Sequence, residues 1–175
     1  MVLVGLALLL APAVGRAQSC TMPPRPSGLV PATVVRVVDG DTLVARLGDG
    51  RTARVRLIGV DTPEVHDADK LRREAETSGR DVATIRALGL RATTFTKKHL
   101  AGRHIDIERD VTALDRYGRT LAYVWLGDEL YNVILVREGY AHLITLPPNV
   151  RYAGTLAACY RAARAARRGL WASLD

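Results

Sequence analysis

Three short segments in which β-branched and other apolar residues alternate with polar ones, Thr33 to Val38, Thr42 to Leu47 and Arg51 to Ile58, follow one another almost without interruption. A period of two turns one face of each toward a core and the other toward water, so all three read as strands. Gly48-Asp49-Gly50, between the second and third, supplies the positive backbone angles that a tight hairpin needs. The first half of the chain is thereby committed to short antiparallel strands joined by turns.

The rest of the chain reads from the same rules. Val65 to Asp81 is polar and charged, with Val65 and Leu71 its only large apolar residues, and is expected to be an exposed loop. Thr84 is expected to cap a helix whose Ile85, Leu88, Ala92 and Phe95 share one face, with Gly102 ending it. Strands resume at His104 to Arg109 and Leu121 to Trp125, and Asn132 to Glu138 reads as a short helix stopped by Gly139. A last Ala- and Arg-rich helix is expected from about Arg151 to Arg168, closed by Gly169 with Leu170 and Trp171 packing back. Short strands with interleaved helices and no internal repeat predict an α+β arrangement around a small β-barrel.

The 175 residues suffice for one domain and its core, and 48% hydrophobic with 25% charged residues is the balance of a folded chain. Residues 1–14 form an apolar run too short to span a bilayer, and Gly15-Arg16-Ala17 offers small residues where a signal peptidase cuts. The expectation is a signal peptide over residues 1–17, a Pro-rich lead over 18–32 and the working domain over 33–175, secreted or periplasmic without stable membrane insertion. No Lys or Arg precedes the apolar run, which leaves a retained anchor as the other reading, and Ala17-Gln18-Ser19 before Cys20 is a poor lipobox. Cys20 and Cys159 are the two cysteines; in an exported protein they can pair and tie the N-terminus to the last helix, and otherwise both stay free. The net charge of +7, one unit less without Arg16, attracts polyanions such as nucleic acid, although many exported proteins are basic.

Charge gathers in three places: Asp39-Gly40-Asp41-Thr42, the run from Arg56 through Asp61-Thr62-Pro63-Glu64, and Asp115-Arg116-Tyr117-Gly118-Arg119. Taken singly each has a bland reading, an Asp capping a turn, a loop entry held extended by Pro63, or a solvated turn. Together they supply the parts of a phosphate site. Asp41 and Asp61 offer hard oxygens suited to calcium or magnesium, and no His or Cys cluster suits a softer metal. The first segment is not an EF-hand loop, since Leu43 stands at the next ligand position. Arg56 and Arg119 can donate forked hydrogen bonds to phosphoryl oxygens, and Glu64 is a further carboxylate placed to activate water.

In this combination and order, with a later REGYA helix end and a terminal GLW, the chain resembles the staphylococcal nuclease (thermonuclease) family over about Thr33 to Trp171. The resemblance implies a five-stranded OB-type barrel with about three α-helices. It implies Ca2+ held by Asp41, Asp61 and the backbone carbonyl of Thr62, with Glu64 as general base and Arg56 and Arg119 on the scissile phosphate. Arg116 and Tyr117 would flank the substrate phosphates, core packing being the other reading for Tyr117. The implied substrates are DNA and RNA, single-stranded or locally open, cut by a monomer to leave 3′-phosphates. A catalytically silent OB-fold binding module and a structural basic envelope protein are the alternatives, and neither needs all five charged residues. Two departures stand out. The Val65 to Ala83 stretch is longer than in the type member, and Thr145, Leu146, Pro147 and Pro148 replace the tyrosines and lysine that meet the nucleotide base, with Tyr140 or Tyr152 as candidate substitutes. His66, His99, His104 and His142 lack metal-ligand spacing and read as surface or packing residues, and Arg161, Arg164, Arg167 and Arg168 as a solvated helix face.

Overall fold

The computed structural model describes residues 19–173. The expected signal peptide over residues 1–17 lies outside the described residues. Strands β1 (Val30–Val37), β2 (Thr42–Leu47) and β3 (Thr52–Leu57) form the antiparallel meander expected from the alternation, and Gly50 turns the β2–β3 hairpin at φ +84°. β1 also pairs with β5 (His104–Glu108), β5 with β6 (Thr120–Leu126), and β6 runs parallel to β3, which closes five strands into a barrel. The inward positions, among them Val34, Leu43, Ala45, Val55, Leu57, Ile107, Tyr123 and Trp125, are buried, so the barrel is a filled core. A two-residue strand β7 (Glu129–Leu130) extends β6, and β4 (Val60–Asp61) pairs with β8 (His142–Leu143) as a separate ribbon.

Four helices pack around the barrel, one more than the resemblance implies. The additional one, α1 (Ala68–Ser78), occupies the stretch expected to be a loop. Asp67 caps it by accepting the amides of Asp69 and Lys70, Gly79 ends it in the left-handed conformation, and Leu71 and Ala75, one turn apart, are buried against Ile85 of the next helix. Helix α2 (Val82–Leu100) is capped by Asp81, which accepts Thr84 N–H at 2.8 Å, so Thr84 lies inside the first turn and is not the cap. Helix α3 (Tyr131–Arg137) is buried from Tyr131 to Val136, and α4 (Ala153–Ala165) leads through Gly169 into a 3-10 turn (Gly169–Ser173) that buries Leu170 and Trp171.

The lead is not free of the domain. Cys20 is disulfide-bonded to Cys159 of α4, Arg25 pairs with Asp106 at 2.6 Å, and Met22 Sδ accepts the amide of Leu130 at 3.2 Å. Because β1 begins at Val30, the expected boundary after residue 32 falls within a strand. No helix among the described residues is long and apolar enough to cross a membrane.

Candidate active site

The site grows from the β1–β2 turn. Asp41 is 5% exposed; its Oδ2 accepts the amide and the hydroxyl of Thr62 at 2.8 and 3.1 Å, and its Oδ1 accepts the hydroxyl of Thr42 at 3.0 Å. Gly40 makes this approach feasible, since a Cβ there would lie 2.6 Å from the Thr62 side chain. A buried relay fixes the turn from behind: Tyr131 donates to Thr96, and Thr96 donates to Gly40 O at 2.7 Å. The geometry of Asp41 is therefore set by α2 and α3 as well as by its own turn.

Arg56 joins the two acids expected to bind metal. Its guanidinium donates to the carbonyls of Leu57 and Val60, both at 2.7 Å, and to Asp61 Oδ1 at 2.9 Å, with Nε facing Asp41 Oδ1 at 3.3 Å. The turn it clasps is also held by Asn132, which donates to Ile58 O at 2.8 Å and accepts the amide of Val124 at 3.0 Å.

Glu64 follows on the segment over which α2 lies closely. A Cβ at Gly89 would come within 2.6 Å of Pro63 O, so only glycine permits that approach. Glu64 Oε1 accepts three successive amides, of Val65 and His66 at 2.8 Å and of Asp67 at 3.2 Å. Burial pushes its pKa up, but the amides of His66, Val65 and Asp67, helped by Lys70, outweigh burial and hold it below the ordinary value. Oε1 is thus committed to the loop, while Oε2 faces the Lys70 ammonium at 3.5 Å.

Burial lifts the pKa of Asp61 first, and Asp41 lifts it further, against the pull of Lys70, Arg56 and His142. Asp39, whose Oδ1 accepts the Asp41 amide at 3.1 Å, is pushed up to about 6 by burial and then by the Asp41 carboxylate. The carboxylate oxygens of Asp41 and Asp61 are hard donors of the kind that calcium or magnesium takes while keeping part of its water. Among the described residues no three His, Cys, Asp or Glu side chains converge as a metal cage.

Two residues of this site were not anticipated from the sequence. Lys70 Nζ stands 3.6 Å from Asp61, 3.5 Å from Glu64 and 3.6 Å from Glu74, and Glu74 accepts the Glu64 amide at 3.0 Å. Burial lowers the pKa of Lys70, but Asp61, Glu64, Glu74 and Asp41 raise it more, so the ammonium stays charged. Both residues come from α1, and their i, i+4 spacing was visible only once that segment was a helix.

The Asp115–Arg119 turn is delivered by the parallel pairing of β6 with β3, which sets Thr120 against Val55 and Leu121 against Arg56. Asp115 accepts the amides of Tyr117 and Arg119 at 2.9 Å and Arg119 Nε at 2.6 Å. Tyr117 is 67% exposed, which removes core packing for it; the guanidinium carbons of Arg116 and Arg119 lie 4.7 and 5.4 Å from its ring centroid. The two candidate substitutes for base stacking are occupied elsewhere, Tyr140 stacked on Phe95 and Tyr152 packed on Tyr123 with its hydroxyl donating to Glu108.

A closed α+β barrel with two acids joined by an arginine, and a loop carboxylate linked to them through Lys70, defines an OB-type protein whose site suits a phosphate ester. A family model described as "Staphylococcal nuclease homologue" matches residues 54–173. The chain is 41% identical to a thermonuclease of Staphylococcus intermedius over 138 residues, 79% of this chain and 74% of that protein. It is 36% identical to a thermonuclease of Staphylococcus hyicus over 140 residues, 80% of this chain and 75% of that protein. An uncharacterized protein of Methanocaldococcus jannaschii is 31% identical over 147 residues, 79% of this chain and 70% of its own length. The chain belongs to the staphylococcal nuclease family, and it is a nuclease that hydrolyses phosphodiester bonds.

Proposed function

We propose that this chain is a calcium-dependent nuclease of DNA and RNA, exported after removal of residues 1–17 and leaving 3′-phosphate products. The observation that carries this reading is the joining of Asp41 and Asp61 through Arg56, with Glu64 anchored by one oxygen and its other turned to the same cluster. Asp41, Asp61 and the carbonyl of Thr62 would hold calcium, which when bound supplies positive charge to the phosphate oxygens.

The protein's own groups do the rest. Glu64 Oε2 accepts a proton from water as that water bonds to phosphorus in line with the leaving oxygen. The bond from phosphorus to the 5′ oxygen breaks, and that oxygen leaves as a hydroxyl after taking a proton from solvent. Arg119, and the outer edge of Arg56, donate to the non-bridging oxygens as charge grows on them, while Arg116 and Tyr117 flank the neighbouring phosphates. The disulfide between Cys20 and Cys159 suits an oxidising compartment outside the cytoplasm.

The test is release of acid-soluble nucleotides from single-stranded DNA and from RNA by protein beginning at Gln18, with calcium and then with a chelator. Calcium-dependent release that falls by about 10² to 10⁴ in Glu64→Gln, with binding kept, is the expected result. Release that survives the chelator would refute the calcium requirement, and near-normal turnover in Glu64→Gln would remove Glu64 from the chemistry.

A further inference from the structure

A cleft of about 460 Å³ adjoins the site: Asp61 and Thr62 belong to its lining, and its remaining residues take no part in the reaction. That size falls within the roughly 300 to 1,000 Å³ of small-molecule sites. Its lining is drawn from α1, α2, β4 and β8, together with Arg164 of α4 and Trp171.

Its chemistry is divided. Ile85, Leu88 and Trp171 give it an apolar side, and the exposed ring of His142 stands edge-on to Trp171, with centroids 4.8 Å apart. Arg80 and Arg164 line the same space. Neither is in an ion pair among the described residues, and Arg164 is held over the Trp171 ring at 5.4 Å. The backbone of His142 is paired with that of Asp61, and its side chain lines the cleft together with Arg80 and Arg164. An apolar slot with the exposed His142 at its side, and with the guanidinium groups of Arg80 and Arg164 outside any ion pair among the described residues, matches a nucleotide: a base on the apolar side and a phosphate on the arginines. Asp61 and Glu74, which also line the cleft, would repel that phosphate, but the Lys70 ammonium at 3.6 Å from each offsets their charge.

Resting on the placement of the scissile phosphate at the Asp61 rim, we propose that this cleft is a second nucleotide subsite, holding a unit of the substrate strand adjoining the scissile phosphate. It supplies base contact that Thr145 to Pro148, standing where the type member has aromatic residues, do not offer.

The experiment is a titration of the full mature chain with a thymidylate pentamer in chelator, so that the strand is not cut. The Trp171 indole and His142 ring signals are followed by NMR, and the Trp125 indole, buried and bonded to Glu108 at 2.7 Å, serves as the internal reference. The subsite requires the Trp171 and His142 signals to shift while Trp125 stays. It also requires Arg80→Ala to weaken binding about threefold and Arg80→Ala with Arg164→Ala about tenfold, with the salt dependence less steep by about 0.7 for each phosphate that an arginine no longer neutralises. If Arg164→Ala disturbs the Trp171 signal of the free protein, Arg80→Ala alone carries the test. A pentamer that binds, by fluorescence anisotropy, without moving Trp171 or His142 and with equal affinity in the variants overturns the subsite. Cleavage of the same pentamer with calcium is scored separately: cutting without the shifts sinks the cleft and spares the nuclease mechanism, and the shifts without cutting do the reverse.

Discussion

Lys70 Nζ lies 3.6 Å from Asp61 Oδ1 and is shared with Glu64 and Glu74, so an ammonium from α1 already sits among the acids of the site. A resident cation competes electrostatically with an incoming one. At such separations, in partly solvated and salt-screened surroundings, the interaction amounts to roughly 0.7 to 2 kcal/mol. Lys70→Met is therefore expected to tighten calcium binding about 3- to 30-fold, read by calorimetry on the protein without nucleic acid. Unchanged or weaker affinity would mean that Lys70 supports the acids and does not compete for them.

The contrast between β1–β3 and α1 shows what the sequence made legible. Strand alternation is local, so the meander, its Gly48 to Gly50 turn and the charged segments at strand ends could be read directly. Helix α1 fully buries only Leu71 and Ala75, with Lys70 and Glu74 partly buried, which leaves no apolar stripe to read; its signals were its ends, Asp67 and Gly79. Missing α1 meant missing Lys70 and Glu74. The nearness of His142 to Asp61 rests on a pairing of two residues per strand, too short for any periodic pattern. The joining of Asp41 to Asp61 by Arg56 depends on tertiary contacts that no spacing encodes.

Asp39 predicts a pH dependence of stability. Its pKa in the fold is about 6, raised by burial and then by Asp41, so between about pH 4 and 6 the folded chain keeps a proton that the unfolded chain has released. The stability linked to that proton is complete below about pH 4 and is lost as pH rises through 6. Asp39→Asn retains an oxygen for the Asp41 amide and carries no charge. In chelator it is expected to be more stable than the parent by about 1 to 2 kcal/mol at pH 7 and nearly equal to it at pH 4. Denaturant titrations at the two pH values decide this, and an equal difference at both would show that Asp39 titration is not the cause.

Arg119 is presented by Asp115 and not by the turn alone, since one carboxylate accepts both the turn amides and the guanidinium. A donor that meets charge developing on the phosphate acts mainly on turnover. Arg119→Ala is expected to lower kcat by about 10² to 10³ with a much smaller change in KM. Asp115→Ala should lower kcat less, because the arginine remains but loses its orientation. Steady-state kinetics on one oligonucleotide separates the cases. A rise in KM with kcat intact would make Arg119 a ground-state binding residue.

The bond between Cys20 and Cys159 ties the lead to α4 across 139 residues of sequence. A cross-link closing so long a loop restricts the unfolded chain, and the chain-entropy account assigns it about 4 to 5 kcal/mol. Cys20 is the better residue to replace, being only half-buried, whereas Cys159 is fully buried and its loss would also open a cavity. Cys20→Ser is expected to lower Tm by about 10 to 20 °C in calorimetry, and reduction of the parent chain should produce the same drop. Agreement between the two locates the effect in the cross-link. A Tm within about 2 °C of the oxidised parent would mean that the cross-link does not restrict the unfolded chain as the chain-entropy account holds, or that strain in the folded state cancels the gain.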